Sequence, residues 1–67
     1  MANLENLIND FISQLEERRI RRTQAVQITK RSLIGQIEKS GKVTFEQGNQ
    51  TFEFPESELK KVWKNIK

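Results

Sequence analysis

The most constraining feature of this chain is an alternating segment in its second half, KVTFEQGNQTFEF, spanning about residues 42–54. Apolar side chains recur at every second position on both sides of the dipeptide Gly48-Asn49. That period is typical of strands with one buried face, and a short glycine-asparagine connection favours a β-hairpin turn. The side chains predicted to share the inner face are Val43, Phe45, Phe52 and Phe54.

A helical period runs along the first part of the chain, from about Asn3 to the arginines that begin at Arg18. Apolar residues recur there at steps of three and four, which is the stripe of an amphipathic helix. Asn3 is a suitable N-cap for this helix. The residues of the stripe are Leu4, Leu7, Ile8, Phe11, Ile12 and Leu15.

The segment after the hairpin, at about residues 56–66 following Pro55, also has a helical pattern. Two glutamates in its first turn suit a helix N-terminus, and its apolar residues are Leu59, Val62, Trp63 and Ile66. Trp63 is the only tryptophan, and we interpret it as core packing against the hairpin phenylalanines. The alternative is an anchor in a binding interface, where tryptophan is enriched.

Residues 20–29 allow two interpretations. Thr23 can cap a second helix that begins at Gln24, or the segment VQIT can form a short strand with Thr29 as the cap of the helix after it. Both lead into a helix, KRSLIGQIEK, in which Leu33, Ile34 and Ile37 are expected to face inward and Gly41 to end the helix in a left-handed conformation.

Gly35 lies inside this helix, where glycine costs about 1 kcal/mol relative to alanine. Either another helix crosses closely at that position, or the helix is weakly specified.

These patterns predict one small α+β domain over residues 1–67, in the order helix, helix, hairpin, short helix. A domain of this length has a thin stability margin, and without cysteine or histidine it lacks disulfides and the usual zinc ligands. Association is the remaining source of stability, so we expect a homodimer or ordering on a partner. The first helix offers a pairing surface with 4-3-4 spacing, made of Leu4, Ile8, Phe11 and Leu15.

Hydropathy gives an expectation about location. The longest uninterrupted apolar run is two residues, far short of the ~20 that cross a bilayer, and the N-terminal segment MANLENLIND has no signal-peptide pattern. We therefore expect a cytoplasmic protein without a membrane partner.

Catalytic chemistry has little support in this composition. Histidine, cysteine and a glycine-rich phosphate loop are missing, and the paired carboxylates Glu16-Glu17 and Glu56/Glu58 fit helix ends. We expect no enzyme, cofactor, metal or small-molecule substrate.

The charge distribution gives the main functional indication. The net charge is +3, but residues 18–42 carry eight basic residues against Glu38 alone, a net +7 between two acidic blocks. Such segregation favours an anionic partner, and we predict a nucleic-acid-binding regulator or accessory protein. The predicted contacts are Arg18, Arg19, Arg21, Arg22, Lys30 and Arg31.

The element order is also that of winged-helix readers, with Lys30, Arg31 and Ser32 in the first turn of a recognition helix and the hairpin as the wing. The hairpin carries Glu46 and Glu53 and no base between residues 43 and 54, which disfavours the wing. The simpler alternative is that the basic block is a solvated helix face, with pairs such as Glu17 and Arg21.

A protein-interaction module is the alternative function. In residues 33–66, a glycine-lysine step after a helix is followed by an alternating hairpin and a helix containing a leucine-lysine-lysine step. This layout resembles that of the lambda-type head-completion protein W, and the resemblance implies a phage structural or adaptor role. An inhibitor that docks on a larger host protein, as some small phage and mobile-element proteins do, belongs to the same class.

Overall fold

The computed structural model describes residues 3–66. The order of elements is helix, helix, hairpin, helix, which confirms the predicted α+β class. The elements are α1 (Leu4–Glu17), α2 (Arg22–Ser40), β1 (Lys42–Gln47), β2 (Gln50–Pro55) and α3 (Glu56–Val62), the last continued by a 3-10 turn (Trp63–Asn65).

The first helix begins where the sequence predicts. The Oδ1 of Asn3 accepts a hydrogen bond from the backbone N–H of Asn6 at 2.8 Å, so Asn3 is the N-cap. Its apolar stripe faces the interior, with Leu4, Leu7, Ile8 and Ile12 buried.

Residues 22–40 form a single helix, so the strand alternative for VQIT is wrong. Its buried positions recur at helical spacing and not at every second residue: Ala25, Val26, Thr29 and Leu33. Thr23 lies inside the helix and is not its cap. Ile34 does not face inward as predicted, since 44% of its surface is exposed.

Thr29 is the only buried polar side chain among residues 3–66. Its hydroxyl donates to the carbonyl of Ala25 at 2.8 Å, so its polar atom is satisfied within the helix.

Helix α2 ends at Gly41, which has φ +75° and whose N–H donates to the carbonyl of Ile37 at 2.8 Å. This is the predicted left-handed C-terminus, and it turns the chain directly into β1. Gly35, in contrast, has nothing within 4 Å of where a Cβ would lie. None of the helices described in residues 3–66 crosses there.

The hairpin has the predicted register, with Val43 opposite Phe54 and Phe45 opposite Phe52. Its two-residue turn places Gly48 at φ +58°, a conformation that favours glycine. Val43 is fully buried, and the rings of Phe45 and Phe54 meet edge to face with centroids 6.4 Å apart.

The hairpin is joined to α2 through its β1 edge. The backbone N–H of Thr44 donates to Oε1 of Gln36 at 2.7 Å. This contact satisfies a donor that a two-stranded sheet leaves unpaired.

The core lies between the three helices and one face of the hairpin. Leu59 and Ile66 close it from the C-terminal side, and Trp63 packs against it half-buried. Of the helices within residues 3–66, none has the length and apolarity needed to cross a membrane.

Candidate functional site

The arginines that begin at Arg18 lie at a sharp bend between α1 and α2. Arg18 has φ −84° and Arg19 has φ +68°. The N–H of Arg19 donates to the carbonyl of Glu16 at 2.9 Å, and the N–H of Ile20 donates to that of Leu15 at 3.2 Å. These two bonds and one left-handed residue define a Schellman motif.

Hydrophobic packing fixes the same bend. The residue after the left-handed position of a Schellman motif commonly makes an apolar contact with the last helical turn. Here that residue is Ile20, and it packs against the core together with Leu15. The chain therefore turns at the arginines, and α1 does not continue through them.

Arg19 occupies a position where glycine is usual. A left-handed conformation costs roughly 1–2 kcal/mol for a residue with a Cβ. Arg19 is the only non-glycine residue with a positive φ within residues 3–66. The bend thus retains a guanidinium where glycine would relieve backbone strain.

All four arginines of the bend are exposed, and we call Arg18, Arg19, Arg21 and Arg22 the arginine bend. Nη1 of Arg22 lies 2.7 Å from Oε1 of Glu16, which links the two helices across the turn. Within residues 3–66, no carboxylate is within salt-bridge distance of the other three. Their charges are open to an external anion.

The helix dipoles stabilise only two of these four positive charges. Arg18 and Arg19 follow the negative C-terminal end of α1, where cations are favourable. Arg21 and Arg22 stand at the positive N-terminal end of α2, which has no side-chain cap and no acidic residue in its first turn. The dipole therefore adds to the positive potential there and opposes those two side chains.

Lys30 and Arg31 do not lie in the first turn of a recognition helix, as the winged-helix prediction requires. Because α2 begins at Arg22, they lie near its middle, about 12 Å further along the axis. Lys30 faces the same shallow depression as Arg22, with Val26 and Ile66 forming an apolar floor.

The ammonium of Lys30 is also 5.2 Å from the centroid of the Trp63 ring. This cation–π contact holds Lys30 half-buried at that depression. Arg31 is exposed, and as the next residue of the helix it projects about 100° further around α2. The structure brings Lys30 toward the arginine bend and leaves Arg31 apart from it.

Within residues 3–66, four of the nine acidic side chains form ion pairs, the first being Glu16 with Arg22. Lys42 pairs with Glu53 across the hairpin, while Glu56 and Glu58 pair along α3 with Lys60 and Lys61, at 3.7 and 3.4 Å. Glu56 and Glu58 lie in the first turn of α3, where the helix dipole favours negative charge.

The predicted pairing surface of α1 lies largely inside the chain. Leu4 and Ile8 are buried at 4% and 1% exposure, and Phe11 and Leu15 are half-buried. A dimer through these four side chains would have to open the core of each subunit.

A second surface was missed from the sequence. Ile34, Ile37, Leu59 and Trp63 line a shallow apolar groove between α2 and α3, the α2/α3 groove. Its rim is charged, with Glu38, Glu56 and Lys60. The signal that could have revealed it is Ile34, which lies too far from the buried stripe of α2 to reach the core.

No protein-family model matches the chain, and neither a curated protein nor a solved structure is significantly similar to it. The likeness to head-completion protein W therefore rests on the order of elements alone, and the function must be inferred from the side chains described above.

Proposed function

We propose that this protein binds nucleic acid through the phosphate backbone, using the arginine bend. The observation that carries the proposal is the concentration of four exposed arginines on one turn whose backbone is fixed by a Schellman motif. Arginine is well suited to phosphate because its planar guanidinium donates two parallel hydrogen bonds. Lys30 extends the same surface along α2.

Conformational cost supports a role for these side chains beyond solubility. Arg19 keeps a charge at a strained position, and Arg21 and Arg22 oppose the dipole of α2. Bound phosphate would offset both, since it pairs with the guanidinium groups and is attracted to the uncapped N-terminus of α2. A merely solvated surface needs neither feature.

The geometry favours backbone contacts over base reading. Lys30 and Arg31 are in the middle of α2, on different sides of it, and the hairpin is acidic on its outer face. Phosphate contacts position a protein but carry little sequence information. We therefore propose an accessory or regulatory factor with weak base preference.

The test is a fluorescence anisotropy titration of the protein against duplex DNA and single-stranded RNA across a salt series. Four phosphate contacts on duplex DNA predict a slope of log K against log salt near −3.6, or about a 100-fold loss of affinity between 50 and 200 mM salt. No binding at about 50 mM salt, or a slope near zero, would overturn the proposal.

A matched pair of variants isolates the arginine bend. Arg18→Gln/Arg21→Gln removes two charges that have no carboxylate partner among residues 3–66, and Lys60→Gln/Lys61→Gln removes two charges from α3. The arginine variant should reduce the magnitude of the slope by about two, and the lysine variant should leave it nearly unchanged. Equal losses from both would mean that net charge, and not the bend, determines binding.

The second candidate is a protein-interaction module, and the α2/α3 groove is the observation that favours it. An apolar surface with a charged rim is the usual anatomy of a protein interface. Salt separates the two candidates, because burial of apolar surface does not release counterions.

A further inference from the structure

We propose that the outer face of α2 binds a second copy of this chain, with the two α2 helices crossing antiparallel at Gly35. This face points away from the buried stripe and includes Gln27, Ile28, Arg31, Ile34, Gly35 and Glu38. The proposal is independent of nucleic-acid binding, since none of the arginine-bend residues belongs to this face.

The first observation is the glycine itself. Gly35 has helical backbone geometry, so no positive φ requires it. Within residues 3–66, and apart from its chain neighbours and its own helix backbone, no atom lies within 4 Å of where its Cβ would be. Its cost of about 1 kcal/mol relative to alanine is therefore not offset by any contact in the single chain. A second helix backbone that approaches closely at this point would explain the absence of a side chain.

The second observation is the apolar side chain beside it. Ile34 is one of two large hydrophobic residues that remain exposed within residues 3–66, at 44%. It also forms the edge of the α2/α3 groove, next to Leu59 and Trp63. Near a two-fold axis at residues 34 and 35, Ile34 meets its own symmetry copy and both are removed from water.

Charge complementarity identifies the occupant as a second copy. Arg31 and Glu38 are equally displaced from the point between residues 34 and 35, by about 5 Å along the helix axis. An antiparallel two-fold crossing therefore places the Arg31 of each copy opposite the Glu38 of the other copy, which gives two ion pairs. A parallel crossing would place arginine against arginine.

Neither charge has a competing partner in the part of the chain that the structure describes. Within residues 3–66, Arg31 and Glu38 form no salt bridge, and both are exposed. A self-complementary patch of this kind is what a two-fold dimer interface requires, because the same surface contributes both sides.

The surface is available to a dimer without unfolding. A standard interface buries about 800 Å² per partner, roughly a sixth of the 5123 Å² surface of this chain. Burial of the outer face of α2 and the adjoining groove leaves the core closed, whereas burial of the α1 surface would open it.

The test is sedimentation equilibrium of the full chain without nucleic acid, over a concentration series. Arg31→Glu and Glu38→Arg each place like charges together, and each should weaken the dimer by at least about 10-fold. The double swap Arg31→Glu/Glu38→Arg restores both pairs and should return the dimer Kd to within a few-fold of the original. Lys64→Glu, on the 3-10 turn, is the matched single-charge control and should have little effect.

Gly35→Ala is a second test, because it should stabilise the single chain and weaken the dimer. In the single chain it should raise thermal stability, because alanine favours helix and finds open space there. In the dimer it should raise the Kd, because the Cβ separates the helices. A monomer at every concentration, or a dimer whose charge swaps fail to weaken and then rescue it, would overturn the proposal; the latter would indicate another interface.

Discussion

Replacing Arg19 with glycine should stabilise the protein even though it removes an exposed charge. Arg19 lies at φ +68°, where a residue with a Cβ loses roughly 1–2 kcal/mol relative to glycine. Glycine also raises the entropy of the unfolded chain, which lowers the free energy of unfolding by about 0.4–1 kcal/mol and offsets part of this gain. The two hydrogen bonds of the Schellman motif join backbone atoms, so they survive the change.

The net expectation for Arg19→Gly is a gain of up to about 1.6 kcal/mol in the free energy of unfolding. Each kcal/mol corresponds to a rise of about 4–8 °C in Tm for a domain of this size. Thermal unfolding followed by circular dichroism at one fixed protein concentration measures it. The concentration must be held constant because dimerisation also shifts Tm.

Arg18→Gly is the matched control at the neighbouring position. It removes the same charge and side chain, but Arg18 has φ −84°, so no left-handed strain is relieved. Only the entropic cost remains, and this variant should lose about 0.4–1 kcal/mol. If Arg19→Gly is destabilised as much as Arg18→Gly, the bend does not hold Arg19 in the left-handed region and the strain argument fails.

Three further changes examine the fold. Leu33→Ala should lower the free energy of unfolding by about 2–5 kcal/mol because it leaves a cavity at a fully buried site. This loss is comparable to the whole stability of a domain of this size, so a denaturant titration at 25 °C should show much of the protein already unfolded without denaturant. Gly48→Ala should cost about 1 kcal/mol by forcing a Cβ into φ +58°, whereas Asn49→Ala in the same turn should cost less. Asn3→Ala should cost about 1 kcal/mol by removing the cap of α1, and Asn3→Asp, which keeps the acceptor, should restore it; comparable stability of all three proteins would refute the capping role.

Local patterns were sufficient to predict most of the fold. The hairpin register follows from strict alternation around Gly48, and the start of α1 follows from the side-chain chemistry of Asn3. The end of α2 follows from Gly41. In each case one residue type has a strong local preference that tertiary packing does not contradict.

The bend could not be assigned because its usual marker is missing. A Schellman motif is normally recognised by glycine, and this one has Arg19 at the left-handed position. Without that marker, Thr23 and the β-branched residues after it could be read as a cap or as a strand. Leu33 and the rest of the buried stripe of α2 resolve the ambiguity only through their spacing in three dimensions.

The candidate site was predicted by residue type but not by arrangement. Charge counting identifies the arginines, yet it cannot separate Lys30, which contacts Trp63, from Arg31, which is exposed and projects in a different direction from α2. The positions of these two side chains depend on where α2 begins. The strand alternative, with a helix that starts at Lys30 and not at Arg22, therefore gives a different set of basic residues on one surface.

The two proposals together predict a dependence on duplex length. Arg22 lies 12.5 residues from the proposed crossing point, so the two arginine bends of an antiparallel dimer are about 37 Å apart at 1.5 Å per residue. One turn of B-DNA separates equivalent sites by about 34–36 Å, so both bends can contact one face of a duplex. Duplexes longer than about one and a half turns should bind more tightly than shorter ones, because once the first bend is bound the second bend is held at a high effective concentration near the same DNA. Arg31→Glu should abolish that gain and leave the affinity for short duplexes nearly unchanged. If affinity per duplex is independent of length, or if Arg31→Glu weakens short and long duplexes equally, the dimer does not present its two bends to the same DNA.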